Sequence, residues 1–216
     1  MADTYRTLAG PGMGEFKDRG SKFIAYAYPV QTEEEALMHL ATLRKEHPKA
    51  RHHCFAWRLG ADGHRFRAND DGEPSGTAGR PILGQIDAAR LTNVVVIVVR
   101  YFGGSLLGAS GLIQAYRESA AEALRQAPQQ ECIILAHARA EVTYAMLPEW
   151  ISAAKRAGLE TLREEYGETT AVLWVGAPRS QLENTLLQVK AYLRKCTPSE
   201  GGTLPWPEGV LSVKAT

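Results

Sequence analysis

Three carboxylates and two hydroxyls lie close together in the segment 69–79, which reads NDDGEPSGTAG. Carboxylate oxygens are the ligands that hard divalent cations prefer in proteins. The residues of this acidic loop are Asp70, Asp71, Glu73, Ser75 and Thr77. Their spacing is not that of an EF-hand, and Asp and Ser side chains that bond their own backbone explain the same composition. We therefore expect a structural loop and no metal site.

A glycine-rich turn, RYFGGSLLGASG, occupies residues 100–111. Glycine lets a backbone turn tightly and lets another surface approach closely, and the free N–H groups at the start of a helix favour anions. A phosphate loop here would use Gly103, Gly104, Ser105 and Gly108. Neither of the two common glycine-rich nucleotide motifs is present, so close packing of the turn against a sheet is the alternative.

Basic side chains are concentrated in residues 44–67, which hold seven of them against two acidic ones. The Asp-Gly pair at 62–63 predicts a tight hairpin turn in a register that places Arg58 opposite Arg67. Like charges directly opposite each other destabilise a strand pair unless an anion lies between them. The hypothesis is therefore that Arg58, Arg65 and Arg67 contact phosphates. The alternative is a solvated strand face with acidic neighbours from elsewhere.

Cys54 is the one candidate nucleophile near a base. His52 lies two residues away on a predicted strand, on the same face and about 7 Å distant. No third residue is evident that would orient the imidazole. We therefore predict no catalytic residue, and a small buried strand residue is the default interpretation of Cys54.

Strands and helices alternate around these motifs. Thr32 and Glu35 form a capping-box pair ahead of a helix that Pro48 ends. Strands are predicted at 22–30, 51–59 and 64–68, and the six β-branched residues 94–99 indicate a strand covered on both faces. Between the strands at 64–68 and 94–99, a loop is predicted over 69–81. After the strand at 94–99, a helix runs from the glycine-rich turn to about residue 126.

The remainder of the chain starts a new pattern. A strand is predicted at 136–144, a helix around 147–154, a hairpin at 159–166 and 169–175, and a helix around 182–193. This β-α-β-β-α order suits a small ferredoxin-like unit. Residues 197–216 are dense in Pro and Gly, which predicts a loose tail with 210–213 as a candidate strand. The predicted division is 1–129, 130–196 and a tail at 197–216.

Composition excludes several classes of protein. The 216 residues carry 25 basic and 24 acidic side chains, a net charge of +1, which excludes a cationic nucleic-acid coat. No apolar run approaches the roughly 18 residues of a membrane helix. The three cysteines lie far apart, which argues against a disulfide framework or a cysteine-rich zinc site. A cytoplasmic protein without a cofactor or a membrane anchor is expected.

The three segments 52–57 (HHCFAW), 69–79 (NDDGEPSGTAG) and 99–108 (VRYFGGSLLG) together resemble the YigZ/IMPACT family. The resemblance spans roughly residues 15–128, and it implies an α+β protein of two domains. The first would have the ribosomal protein S5 domain 2-like fold. The second would be ferredoxin-like, similar to the last domain of translocating elongation factors. The resemblance also implies kinship with eukaryotic translational regulators that act through protein contacts, and it supplies no catalytic residues.

Two classes of function remain open. The first is a non-enzymatic regulator associated with translation, which binds RNA, the ribosome or a translation-associated protein. Its contact residues would be Arg58, Arg65, Arg67, Arg100, Tyr101 and Phe102, with the last three supplying charge and stacking. The second is an enzyme acting on a phosphorylated small molecule. It would bind phosphate at residues 103–111 and magnesium at Asp70, Asp71 or Glu73.

Overall fold

The computed structural model describes residues 3–215. Two compact units divide the chain between Cys132 and Ile133, a few residues beyond the predicted boundary at 129. The first unit is Thr4–Cys132, and the second is formed by the described residues from Ile133 onward together with Asp3. None of the helices within residues 3–215 is both long and apolar enough to cross a membrane.

The first unit is built on a five-stranded antiparallel sheet in the order β2-β3-β6-β4-β5. A separate two-stranded sheet pairs β1 with β7. The elements are β1 (Thr4–Leu8), β2 (Gly12–Asp18), β3 (Ser21–Pro29), α1 (Glu33–Glu46), β4 (His52–Leu59), β5 (Arg65–Asn69), α2 (Gly79–Ala88), β6 (Val94–Tyr101), α3 (Gly108–Gln126) and β7 (Gln129–Ile133).

Strand β6 lies at the centre of this sheet and is buried on both faces, as its β-branched run predicted. Val96 and Val98 pack into a core shared with α2 and α3. Val95 and Ile97 pack into a second core shared with α1. Burial of each such side chain contributes about 1.5–3 kcal/mol to the free energy of unfolding. Because both cores include residues of β6, this strand links the elements on the two faces of the sheet.

Helix α1 begins and ends as predicted. The Thr32 hydroxyl accepts a hydrogen bond from the Glu35 N–H at 3.2 Å, and the helix ends at Glu46, just before Pro48. Leu40 and Leu43 are buried against the sheet, which fixes the position of the helix.

The edge strand β2 was not predicted, because its glycines conceal the pattern of a strand. Gly14 lies directly against α3, and an added Cβ would come within 2.5 Å of the Ala123 backbone nitrogen. Glycine inside a strand often marks such a close approach of another backbone. The missing side chain is therefore what allows α3 to pack on the sheet.

The second unit has the element order β-α-β-β-α-α-β around one antiparallel sheet, in the order β11-β8-β10-β9. Residues of α4 and α5 share one core cluster with the sheet. The elements are β8 (Leu135–Thr143), α4 (Leu147–Ala157), β9 (Glu160–Tyr166), β10 (Thr170–Pro178), α5 (Leu182–Arg194), α6 (Pro198–Thr203) and β11 (Val210–Ala215).

The prediction of a loose tail over 197–216 was wrong for the part that the structure describes. Thr197 and Glu200 form a capping box at the start of α6, with Pro198 in the first turn, where a missing N–H costs nothing. Strand β11, which contains the candidate strand predicted at 210–213, pairs with β8, and Val210 is buried. A high content of Pro and Gly therefore does not exclude a helix start and a closing strand. The pairing of β11 with β8, which is distant in sequence, is not visible in the composition of residues 197–216.

Candidate partner-binding site

The three motif segments meet at one end of the first unit. Strand β4 begins at His52 and β6 ends at Tyr101, and antiparallel pairing places His52 directly opposite Arg100. The acidic loop, within segment 69–79, connects β5 to α2 and reaches this end of the sheet, since His52 Nδ1 lies 2.8 Å from the Asp71 carbonyl oxygen. Segments that are far apart in sequence therefore form one site.

A buried carboxylate anchors the site. The Arg100 guanidinium donates to Glu73 Oε1, and the Tyr116 hydroxyl donates to the same oxygen at 2.8 Å. His52 Nε2 lies 3.9 Å from it. The side chains of Arg100 and Glu73 are only 8% and 3% exposed. Burial, together with the nearby Cys54 and Glu73, raises the pKa of Tyr116 well above its usual value, so its hydroxyl stays protonated as a donor.

The carboxylate of Asp70 is also fully engaged within the chain. It accepts hydrogen bonds from the backbone N–H groups of Gly76, Ala78 and Gly79 at 2.8–3.0 Å, at the start of α2. Partial burial raises the pKa of Asp70, but these three donors outweigh it, and the pKa lies below the usual value for aspartate. The carboxylate thus satisfies the N–H groups of Ala78 and Gly79 at the start of α2, whose N-cap residue Ala78 has no side chain that could do so.

Asp71 joins three segments of the first unit. Its carboxylate accepts a hydrogen bond from the His53 N–H at 2.7 Å and pairs with Arg44 at 2.8 Å. Asp70, Asp71 and Glu73 each accept hydrogen bonds or ion pairs from groups of their own chain. No cluster of metal-ligand side chains occurs among residues 3–215. The loop therefore has the contacts of a structural element.

The exposed part of the site is a cavity of about 320 Å³. We call it the motif pocket, and its lining residues are Arg51, His52, Gly72, Arg100, Phe102 and Leu106. Phe102 is 48% exposed and Leu106 is 84% exposed. The Arg100 guanidinium lies 5.8 Å from the centroid of the Phe102 ring. Arg51 takes part in no ion pair within residues 3–215. The pocket therefore offers a cation and two apolar side chains to a partner.

Tyr101 lies on the other face of the sheet from Arg100, because neighbouring residues of a strand point to opposite sides. Its hydroxyl lies 2.8 Å from His47 Nδ1, and His47 Nε2 lies 2.8 Å from the Tyr26 hydroxyl. The structure thus brings Arg100 and Phe102 together and places Tyr101 in a separate contact with the end of α1.

The basic hairpin has a different register from the one predicted. Arg58 pairs with Phe66 and Trp57 with Arg67, so the expected Arg58–Arg67 pair does not form. The reason is the length of the loop. Residues 60–64 connect β4 to β5, whereas the prediction assumed a turn centred on Asp62 and Gly63 alone. Arg65 lies opposite Leu59 and is exposed.

Acidic groups of the same chain neutralise part of this hairpin. Arg58 Nη2 lies 2.6 Å from Asp87, and Arg67 pairs with Glu33. Arg58 is also six residues along β4 from His52, or about 20 Å at the usual strand rise. The structure therefore separates these arginines from the motif pocket and reduces the unpaired charge on which the phosphate hypothesis rests.

Cys54 is buried and is not poised for attack. Its sulfur lies 3.0 Å from the Asp70 carbonyl oxygen and 3.3 Å from the Tyr116 hydroxyl. Burial raises the pKa of its thiol far above the usual value, so the nucleophilic thiolate is strongly disfavoured. His52 bonds to the acidic loop and does not activate this thiol.

Close packing explains the first glycine of the glycine-rich turn. A Cβ on Gly103 would lie 1.9 Å from the backbone carbon of Gly20, and the Gly103 N–H donates to the Ser21 hydroxyl at 3.1 Å. Gly104 and Gly108 have positive φ angles of 89° and 73°. Helix α3 begins at Gly108 without a side-chain cap, and Ser105 is exposed beside it. A phosphate loop at these residues stays a prediction.

Sequence reasoning missed Arg51, Gly72 and Leu106 as pocket residues. It considered His52 only as a base for Cys54. The neighbourhood of these residues depends on the pairing of β4 with β6, which joins positions about 50 residues apart and gives no local signal. The one available indication was that His52, Gly72 and Leu106 lie within the three motif segments and that Arg51 directly precedes the first of them.

The fold and the site define a protein of two units, each with an antiparallel sheet and helices, and with a small pocket at one end of the first five-stranded sheet. Residues 19–124 match the family model described as the Impact N-terminal domain. The IMPACT family member YvyE of Bacillus subtilis is 39% identical over 146 residues, which cover 67% of each chain. An IMPACT family member of Thermus thermophilus is 54% identical over 109 residues, 50% of this chain and 58% of the relative.

A crystal structure described as that of a hypothetical protein superposes with a TM-score of 0.72 at 30% identity, and the match covers 90% of this chain and 95% of the other. The identity of 39% with YvyE, over about two thirds of the length of each chain, shows that the chain belongs to the IMPACT family.

Proposed function

We propose that the protein is a non-enzymatic, translation-associated regulator that binds RNA, the ribosome or a translation factor through the motif pocket. The observation that carries this proposal is the exposure of Phe102 and Leu106 beside Arg51, above an ion pair that is itself buried. Exposed aromatic and arginine side chains around a rigid centre are typical of contact hot spots.

The chemistry of the site supports binding over catalysis. Its carboxylates are each satisfied by groups of the same chain, and its thiol is buried with a raised pKa. A general base or nucleophile must be free to reach a substrate. None of these groups meets that requirement, which argues against an enzyme that holds magnesium in the acidic loop.

Membership of the IMPACT family supports the link to translation, because the family resemblance implies kinship with eukaryotic translational regulators. RNA contact by Arg58, Arg65 and Arg67 on the hairpin is the alternative to contact through the motif pocket, and Arg65 and Arg67 are its exposed members. A cytoplasmic location follows from such a role.

The proposal includes the two fold assignments. The first unit would be S5 domain 2-like, and the second would be ferredoxin-like, as in the last domain of translocating elongation factors. The element order of the second unit and its sheet order β11-β8-β10-β9 support the ferredoxin-like assignment.

Affinity purification of the tagged protein, with and without ribonuclease, tests the proposal. The variant Phe102→Ser should lose the ribosomal subunits or translation factor that the wild-type chain retains. Phe66→Ser is a matched control, since Phe66 is a 57% exposed phenylalanine that also lies beneath an arginine.

Equal recovery with Phe102→Ser would contradict the proposed role of the pocket. Loss with Phe66→Ser alone would move the contact to the hairpin. Partners that survive ribonuclease indicate protein contact, whereas partners released by it indicate RNA.

A further inference from the structure

The sheet of the second unit has helices on one face only. Ala140 of β8 and Leu173 of β10 point into the core formed with α4 and α5. Helix α6 lies against α5, where Gly201 contacts Ala191. The alternate residues of each strand point to the other face of the sheet, which the helices of this unit leave uncovered.

One row of side chains crosses all four strands on this uncovered face. Antiparallel pairing places Lys214 of β11 opposite Arg139 of β8, Arg139 opposite Trp174 of β10, and Trp174 opposite Arg163 of β9. Side chains directly opposite in antiparallel strands share a face. Three strand spacings make the row about 14 Å long, and we call it the cationic row.

Trp174 is the centre of the row and is partly exposed. The Arg163 guanidinium carbon lies 4.9 Å from the centroid of its ring. An indole with cations beside it forms a platform on which a nucleobase can stack while the cations bind the adjacent phosphates.

The acidic groups on the same face belong to neighbouring rows. Arg139 lies 3.2 Å from Glu141, Arg163 pairs with Glu165, and Glu160 lies farther along β9 opposite Gly176. A guanidinium has five N–H donors, so these contacts leave donors for a phosphate. Lys214 takes part in no ion pair within the described residues. The cations and the aromatic ring therefore coincide in one row, and the carboxylates lie beside it.

From this juxtaposition we infer that the uncovered sheet face of the second unit binds single-stranded RNA, with a base stacked on Trp174 and phosphates bound by Arg139, Arg163 and Lys214. This site is separate from the motif pocket and stands whether or not that pocket binds a translation partner. An unpaired strand fits the arrangement, because its bases are free to lie flat on an aromatic ring.

Fluorescence anisotropy of the full chain with a fluorescein-labelled oligouridine of about ten nucleotides tests the inference. Trp174→Leu should weaken binding roughly tenfold or more, the loss that one base–aromatic stack produces, whereas Trp174→Phe should retain most of the affinity. Lys214→Gln, at an exposed position, should reduce the slope of log affinity against log salt by about 0.7.

The matched control is Tyr192→Leu. Tyr192 also lies beneath an arginine, at 4.5 Å from Arg156, but on helix α5 and away from the row, so its loss should leave the affinity unchanged. Equal affinity of Trp174→Leu and the wild-type chain would overturn the inference, as would a flat salt response. Loss of oligouridine binding in Phe102→Ser but not in Trp174→Leu would assign the RNA to the motif pocket and refute the sheet site.

Discussion

Removal of Glu73 tests the buried anchor of the motif pocket. In Glu73→Leu, the Arg100 guanidinium would remain buried without its carboxylate, and the Tyr116 hydroxyl would lose its acceptor at 2.8 Å. Breaking a buried ion pair by removing one partner costs about 3–5 kcal/mol. We expect a loss of this size in the free energy of unfolding of the first unit.

The double variant Glu73→Leu/Arg100→Met separates the pair from simple side-chain loss. When both charges are absent, no uncompensated ion remains in the interior, and apolar replacement of a buried pair is often neutral. The Tyr116 donor is then the main unsatisfied group, which costs about 1–3 kcal/mol. The double variant should therefore be more stable than Glu73→Leu.

Hydrogen exchange followed by mass spectrometry measures this effect locally. Amide protection in β4 and β6 should fall by roughly two to three and a half orders of magnitude in Glu73→Leu, since 1.4 kcal/mol corresponds to a factor of ten. Strands β8 and β10 of the second unit provide an internal reference. Asp87→Asn, which breaks the more exposed pair with Arg58, should cost less than about 1 kcal/mol.

Two results would refute the reasoning. One is a free energy of unfolding of Glu73→Leu that lies within about 1 kcal/mol of the wild-type value, because a surface ion pair contributes no more than this. The other is a double variant whose loss equals the sum of the two single losses, because independent sites add and coupled ones do not.

Three further predictions concern the surroundings of the pocket. The pKa of Asp70 is lowered in the folded chain, so the stability from its carboxylate is present above about pH 4, the unfolded value, and is lost as the pH falls through the folded pKa; urea unfolding should find Asp70→Asn less stable than wild type at pH 7, with a difference that shrinks as the pH falls below about 4. Gly103→Ala should lower the melting temperature strongly because its Cβ would meet the Gly20 backbone, whereas Gly84→Ala, in open space within α2, should gain about 0.5–1 kcal/mol; equal effects would contradict the packing role of Gly103. Cys54 should resist iodoacetamide until the chain unfolds, while the half-buried Cys132 and Cys196 react first, as peptide mapping would show; early labelling of Cys54 would argue against its burial.

Local signals were sufficient for several elements, although the loop predicted over 69–81 was too long and helix α2, which begins at Gly79, was missed. The Thr32 cap, the end of α1 before Pro48 and the doubly buried run in β6 follow from side-chain chemistry within a few residues. The structural role of the acidic loop also follows from local chemistry, since Asp70 caps the helix that begins nine residues later.

Features that depend on distant backbone contacts were beyond sequence reasoning. Strand β2 owes its glycines to the close approach of α3. The sequence indicated β11 only as a candidate strand at 210–213, because its pairing partner β8 is distant in sequence. The hairpin register failed because the Asp-Gly signal indicates a turn without giving the length of its loop. The pairing of His52 with Arg100, which creates the motif pocket, arises only when β4 joins β6.

In the motif pocket, the residues that stabilise the fold are different from the residues proposed to contact a partner. Arg100, Glu73 and Tyr116 hold the frame from inside, while Phe102 and Leu106 face outward and carry little of the folding free energy. Substitution of these two side chains should therefore leave the first unit folded. Anyone who wishes to redirect recognition should randomise the outward positions and leave the frame intact.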